Sequence, residues 1–582
     1  MTSASPSQRP ELAPLPLRGQ RALVLVADPS LPLDLSEADE VLFVGARPRD
    51  CRGVVDAPVI AGRELLRLRG SQSARALRPT TVVVSSLARL GARSLAAALR
   101  YGAQRVLVVD VPGSYLELDP KPALALAGLI GSRRRIARLP GSRLLEGALG
   151  WRLAAEVPDL SETERAAEVV FRHAERARAA QKPGGPLRVV HYVGALSPGG
   201  AERQLSYLAA SHQAAGHSVE VWAGGSLTGS AGHYIPALRE AGVAVSRVER
   251  TRRGLLRAPW PSGSLPAEVE GALLTHATAP QLVPLTQRLL EHQPDVLHCW
   301  LDDNNVIGGL AGLAAGVGRI VLSTRNVSPL HFPRLMRPWL RATYRGLLES
   351  ERVVMINNSL AGARDYAAWT GTELERWNVV HNGFDAAACP PLSEEARARG
   401  RAELGVAEGE FLVAGVFRLD VEKRPRDFVE VLARVAAEVP HLRAIHLGEG
   451  PLAAEVHALA RERGLGERLR FLGRREDAWS LLGLADASLL TSLGEGLPNV
   501  ALESQALEVP LVLTDAGGSV EAVDPERSAL VAEVGDLAAL SAHLVRLARD
   551  PAARRAMGRA GRAWVEERFA LERMVERSAA LY

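Results

Sequence analysis

Thr491-Ser-Leu-Gly-Glu-Gly-Leu-Pro-Asn-Val-Ala-Leu-Glu503 is the stretch on which the reading of this chain turns. An apolar run, Ala485-Asp-Ala-Ser-Leu-Leu-Thr491, precedes it, and Val509-Pro-Leu-Val-Leu-Thr514 follows. Each has the length of a buried strand. Pro498 falls where a helix should begin. Proline suits a first helical position, because the N–H it lacks would be unpaired there. The spacing therefore predicts strand, Gly-rich loop, helix, strand: a βαβ unit with parallel strands. Gly494 and Gly496 permit a sharp turn and a close approach of backbone to ligand. The amides of Leu497, Asn499 and Val500 would project from the helix N-terminus, which suits an anion such as phosphate. Glu495, just ahead of the helix, and Glu503, a little over one turn in, could accept hydrogen bonds from hydroxyls flanking that anion. Taken singly, each acid reads as a solvated surface group. Both together, between two buried strands, argue for a site.

A second basic element lies upstream. The run Phe411-Leu-Val-Ala-Gly-Val-Phe417 reads as a strand, and the turn after it carries Arg418 and Lys423. Two cations beside a phosphate-sized gap can hold a diphosphate and stabilise its negative charge on departure. Farther upstream, Leu187-Arg-Val-Val-His-Tyr-Val193 runs into Gly194-Ala-Leu-Ser-Pro-Gly-Gly-Ala-Glu-Arg203 and then a helix. Gly199 and Gly200 at that helix entrance again permit close approach to an anion. His298 and Trp300 close the strand Pro294-Asp-Val-Leu-His-Cys-Trp300. Arg325 and Asn326 follow the strand Ile320-Val-Leu-Ser-Thr324. Strand ends of this kind are where open α/β sheets bind ligands.

The Glu-x7-Glu pattern of Glu495 and Glu503, with Gly-Leu-Pro after the first Glu, resembles the retaining GT-B glycosyltransferases called group 1, or family 4. The resemblance runs from about Leu187 to the C-terminus, two thirds of the chain. It implies an α/β fold of GT-B type: two Rossmann-like lobes facing a cleft, residues 187–385 and 406–560, with residues 561–582 as a helix crossing back to the first lobe. It implies transfer of a sugar from a nucleotide diphosphate sugar (UDP-, GDP- or ADP-sugar) to a hydroxyl, with retention and without metal. By the same resemblance Arg418, Lys423 and the helix start at Gly496, Leu497 and Asn499 would neutralise the diphosphate. Glu503 would hold the ribose, and Glu495 the transferred sugar. Leu472 lies in a segment whose backbone rests against the base in relatives. His298 and the loop of Gly199 and Gly200 would complete the site; Arg325 and Asn326 face the cleft by the strand-end argument above and could contact an acceptor. Asp302-Asp303 reads as loop polarity rather than a metal site. No cofactor is implied. An epimerase or hydrolase on the same fold, and a non-catalytic scaffold, remain open alternatives.

A chain of 582 residues exceeds one core, so a third domain is expected. Residues 19–180, outside the resemblance, show short apolar runs ending in Asp28, Asp110 and Gly113-Ser114 and read as an accessory α/β domain. Residues 1–18, rich in Pro and Ser, read as a disordered tail. Hydrophobic content of 47% with 23% charged residues is that of a soluble globular protein. The three widely spaced cysteines suggest reduced thiols and no zinc. The N-terminus lacks a secretory apolar core, and no run of about 18 apolar residues appears, so a cytoplasmic location is expected. Two arginine-rich stretches, 131–152 and 334–345, could rest on an anionic membrane surface; a solvated face is the competing reading. The partners expected are a sugar donor and a glycan or lipid-linked acceptor in bacterial surface polysaccharide or glycolipid synthesis, with no nucleic acid.

Overall fold

The computed structural model describes eight strands between Gln20 and Leu118 by their backbone, together with residues 160–176, 185–249, 264–332, 335–337 and 339–582. The tail 1–18, Asp28, Gly113, the basic stretch 131–152 and Arg334 lie outside the described residues. The chain divides into two compact units, Met1–Asp159 and Leu160–Tyr582.

In the first unit, β1 (Gln20–Val26), β3 (Ala38–Val44), β5 (Val59–Ile60), β6 (Thr81–Ser85), β7 (Arg105–Val111) and β8 (Ser114–Leu118) form one sheet in the order β5-β3-β1-β6-β7-β8. Only β8 is antiparallel. The short pair β2 (Leu33–Asp34) and β4 (Cys51–Arg52) stands apart.

The second unit holds two parallel sheets. One comprises β9 (Arg188–Val193), β10 (Ser218–Ala223), β11 (Ala244–Arg247), β12 (Val296–Trp300), β13 (Arg319–Ser323), β14 (Val353–Asn357) and β15 (Trp377–Val379), in the order β11-β10-β9-β12-β13-β14-β15. The other comprises β16 (Phe411–Val416), β17 (Leu442–Leu447), β18 (Leu469–Phe471), β19 (Ala487–Leu490), β20 (Leu511–Thr514) and β21 (Ala529–Ala532), in the order β18-β17-β16-β19-β20-β21. In each sheet the chain first winds one way from its first strand, then returns to wind the other. The reversal leaves a crevice beyond the strand ends, between β9 and β12 in one lobe and between β16 and β19 in the other. Ligands bind at such switch points. The central strands are continuously apolar because helices cover both faces; every residue of β12, β19 and β20 is buried.

Two boundaries differ from the sequence reading, and two helices fall in stretches to which it gave no element. The helix Leu160–Arg176, assigned there to the accessory domain, belongs to the second unit: Arg352 donates to the Ala174 carbonyl at 3.0 Å. The connector after Ala386 contains a helix, Glu394–Glu403, whose cap Ser393 accepts from the Ala396 amide at 3.2 Å. The tail is two helices, Pro551–Arg568 and Leu571–Ala579. The break falls where the Phe569 carbonyl leaves the helical pattern to accept from the Phe384 amide at 2.7 Å. Here the chain crosses back to the first lobe. Finally, the helix beyond Arg334 begins only at Leu340, and Arg337 ahead of it lies 3.5 Å from Asp303.

Candidate active site

The quoted stretch folds as strand β19, loop, the helix Asn499–Ala506, and strand β20. Pro498 is the residue before the helix (φ −71°, ψ 120°) rather than its first turn, and no side chain caps that end. Its leading amides thus face the crevice without a local acceptor side chain. Glu495 and Glu503 are both buried, 7% and 3% exposed, so neither is a solvated surface acid. A buried carboxylate requires partners. Glu495 has two: Lys423, ion-paired to Oε1, and the Ser492 hydroxyl, which donates to the same oxygen at 2.6 Å.

Lys423 reaches Glu495 because β16 ends in a tight turn. The Asp420 side chain accepts from the Val421 amide at 2.8 Å and opens a short 3-10 segment, Val421–Lys423. Arg418, on the same turn, leans outward. Its side chain is 68% exposed and lies 3.2 Å from Asp420. The two cations expected side by side are therefore separated in this conformation.

Glu503 is held from the opposite lobe, by an ion pair with Arg203. Arg203 lies in the first turn of the helix Gly200–Ala214, whose entrance is formed by Gly199 in extended conformation. The two helix starts meet: a Cβ on Gly200 would come 2.5 Å from the Asn499 Nδ2. Gln204, one residue on, donates to the Asn499 Oδ1 at 3.2 Å. Asn382 ties the same corner, donating to Asn499 at 2.8 Å and to the Leu497 carbonyl at 2.9 Å.

Arg325 sits at the end of β13 with φ +68°, a left-handed conformation unusual for a non-glycine residue. Its neighbour in the crevice, Leu301 at the end of β12, has φ +73°. The Arg325 guanidinium donates to Asn382 at 2.5 Å and lies 5.0 Å over the Trp300 ring. Burial lowers its pKa to about 9. Its carbonyl approaches Gly496 so closely that a Cβ there would stand 2.6 Å from it. Asn326 turns inward, its Oδ1 accepting from the Val327 amide at 2.8 Å.

His298 lies within the first lobe, 1% exposed and bonded at both ring nitrogens: Nδ1 to the Tyr582 hydroxyl (2.7 Å) and Nε2 to Ser323 (2.8 Å). It stacks on Trp300 at 4.6 Å. Burial, then His191 and Arg325, hold its pKa well below the usual value, so the ring is neutral. It touches the crevice through Trp300 and Arg325. The Leu472 amide donates to the His446 carbonyl at 2.9 Å, and the leucine packs against the second lobe's core. Asp302 and Asp303 open a helix, Asp302–Ala314, rather than a loop. Asp302 accepts from Tyr344 (2.7 Å) and Tyr366 (2.8 Å), and burial pushes its carboxyl up to about 6. Among the described residues no group of three His, Cys, Asp or Glu could hold a metal ion.

Arg203, Asn382, Ser492 and Tyr582 are the contacts that sequence reading did not single out. Arg203 and Ser492 stood in quoted motifs.

Two facing lobes with matching switch points, and a carboxylate pair with a helix N-terminus between them, define the GT-B glycosyltransferase fold. Residues 198–388 match Glycosyltransferase Family 4 and residues 396–564 match Glycosyl transferases group 1. Over this part the chain belongs to the group 1 glycosyltransferases. It is 33% identical over 238 residues to the Vi polysaccharide biosynthesis protein VipC/TviE of Salmonella typhi, covering 41% of each chain. It is 30% identical over 208 residues to the putative glycosyltransferase EpsD of Bacillus subtilis, covering 36% of this chain and 54% of that one. The chain thus spans about half, or less, of the length of these relatives. In fold it is similar to the Anabaena HepE protein crystallised with UDP-glucose: TM-score 0.56, 22% identity, covering 68% of this chain and 98% of that one.

Proposed function

We propose that residues 187–582 transfer a glycosyl group from a nucleotide diphosphate sugar to a hydroxyl acceptor, with retention of configuration and without a metal ion. The observation that carries this reading is the placement of Lys423, Ser492 and Glu495 beside the uncapped start of the helix Asn499–Ala506. A diphosphate at that helix start would meet its backbone amides and the Lys423 ammonium. Arg418, now exposed, would swing in to the same anion. Glu503 would receive the ribose hydroxyls once Arg203 yields one of its oxygens, and Glu495 would orient the sugar. The C1–O bond to the diphosphate breaks as the acceptor oxygen bonds to C1. The acceptor proton passes to the departing diphosphate oxygen, which lies on the same face, and this gives retention. Fixed cations and dipoles stabilise charge developing on a leaving group, which supports a metal-free reaction.

The acceptor would enter from the first lobe, near Arg325 and Asn326. Similarity to the Salmonella Vi polysaccharide biosynthesis protein supports surface polysaccharide synthesis, and the UDP-glucose held by the Anabaena protein of like fold supports a uridine diphosphate sugar. A peripheral contact with an anionic membrane at the inner face fits a lipid-linked acceptor. Among the described residues no helix is long and apolar enough to cross a membrane.

Calorimetric titration with UDP, GDP, ADP and their sugar conjugates, with and without a divalent ion, tests this reading. Binding of one nucleotide without metal, lost in Lys423→Ala, is expected. Turnover of the bound sugar without any acceptor would favour the hydrolase or epimerase alternative. No binding at all would overturn the reading.

A further inference from the structure

Outside the crevice, the double crossing of the chain between the lobes encloses an open hollow. It is a shallow depression open to solvent, lined by Arg568, Arg573, Arg577, His381 and Asn382 among others. Ala570, one of its lining residues, pairs with Phe384 as an isolated parallel bridge where the chain crosses. The charge here is one-sided. Arg573 and Arg577 stand four residues apart on the helix Leu571–Ala579, so they share a face, and like charges at that spacing weaken a helix. Among the described residues neither pairs with a carboxylate. Glu572 and Glu576, on the same helix, do not line the hollow. Arg568 lies 3.4 Å from its exposed neighbour Glu567 and 4.8 Å over the Trp564 ring. The His381 Nε2 lies 3.2 Å from the Glu521 carboxylate. Three arginines line one depression with no acid among the lining residues, a composition suited to a compact oxyanion that takes several paired N–H donors at once.

We propose that this hollow is a second anion site, separate from the crevice, for a soluble phosphate-type ligand: inorganic phosphate, a phosphate monoester or pyrophosphate. Its position gives it a lever on the crevice. Asn382, one of its lining residues, holds the Leu497 carbonyl and the Asn499 side chain at the start of the donor-side helix. His381, another, holds Glu521, which accepts from the Leu360 and Ala361 amides across the lobe boundary, both at 2.7 Å. An anion drawn against the arginines would thus fix the hinge and both of its links to the crevice.

The full chain is titrated with sodium phosphate and with pyrophosphate by calorimetry, alongside Lys423→Ala, Arg573→Ala and the double variant Arg573→Ala/Arg577→Ala. Both arginines are exposed, so the fold should survive, and circular dichroism checks this. Binding is expected to persist in Lys423→Ala and to weaken about tenfold for each arginine removed. Binding lost in Lys423→Ala but unchanged in the arginine variants would place the anion in the crevice and overturn the hinge site. Absence of binding would overturn it as well. Anionic vesicles of phosphatidylglycerol form a further arm. Arginine-dependent vesicle binding without any response to phosphate or pyrophosphate would overturn the soluble ligand in favour of a lipid headgroup. None of these outcomes depends on which nucleotide sugar the crevice takes, so this site can fail while the transferase reading stands, and the reverse.

Discussion

Arg203 in one lobe is ion-paired to Glu503 in the other, and the two lie 300 residues apart in sequence. Under the proposed function the pair engages one oxygen, Oε1, of the carboxylate assigned to the ribose, so ligand entry and the lobe contact would compete for it. Two substitutions separate these roles. Glu503→Gln should weaken nucleotide binding by about tenfold to a hundredfold, the range for a lost hydrogen bond to a charged group. Arg203→Ala should lower stability by about 1–3 kcal/mol, less than a fully buried pair because the arginine is partly exposed. Calorimetry checks the first and urea denaturation the second. Unchanged affinity in Glu503→Gln would remove Glu503 from the ribose site.

Lys423→Ala should reduce turnover by about a hundredfold to a thousandfold, the usual loss for one donor aimed at developing negative charge. The side chain is partly exposed but its partner Glu495 is buried, so stability should fall by about 1–3 kcal/mol, as for Arg203→Ala, and kinetics are compared on the folded variant. Glu495 keeps Ser492 as a partner in the variant. Steady-state kinetics with the preferred donor make the measurement, and a turnover within a factor of about three of the parent would exclude a role for Lys423 in charge stabilisation.

Four buried histidines set an acid limit on stability. Burial lowers His191 and His446 to about 3, and His212 to about 4, and holds His298 well below its usual value. In the unfolded chain each takes up a proton near pH 6.5, while the folded protein does not. Their contribution is present above that pH and is lost as pH falls toward the folded values. Asp302 opposes one of them, because its raised pKa of about 6 lets the folded state bind a proton first. A net of three protons gives a fall of up to about 4 kcal/mol per pH unit between pH 6 and 5. Urea denaturation at pH 7, 6 and 5 measures this, and a flat profile above pH 5 would contradict the neutral, buried state of these rings.

Much of this was readable before any coordinates. The runs around Glu495 and around Lys423 are strand, turn and helix start because apolar length, glycine and proline act locally. Those signals needed no partner from elsewhere in the chain. The contacts that close the site are different. Nothing in the spacing around Ala201-Glu-Arg203 tells which distant acid the arginine will meet. His298 is bonded to Tyr582, 284 residues away, so its burial depends on a tail that folds back over the first lobe. The tail itself reads as one amphipathic helix, because the hydrophobic period runs through Phe569. The break there is made by a hydrogen bond to Phe384, a tertiary effect. Pro498 illustrates a smaller shift. Proline is accepted both just before and just inside a helix, and composition alone does not choose between them.

Glu521 supplies the last test, because it joins the lobes without touching the Lys423–Glu495 pair. Its carboxylate sits at the start of the helix Leu360–Thr370, accepting from two amides of the opposite lobe, and His381 lies against it. Its pKa is lowered: burial opposes ionisation, and the His381 contact and the two amides together outweigh it. The carboxylate is therefore charged at neutral pH and favourably placed at a helix N-terminus. Removing it leaves two amides without an acceptor at the lobe boundary. Glu521→Ala should cost about 1–2 kcal/mol of stability. It should also shift the unliganded protein toward a more open arrangement of residues 187–385 and 406–560. Small-angle scattering would register that opening as a larger radius of gyration without nucleotide. Saturating nucleotide should recover part of the closure, since in the proposed function the donor would bridge the lobes independently of Glu521. A variant whose radius matches the parent with and without nucleotide would mean that this contact merely caps a helix and does not hold the lobes together.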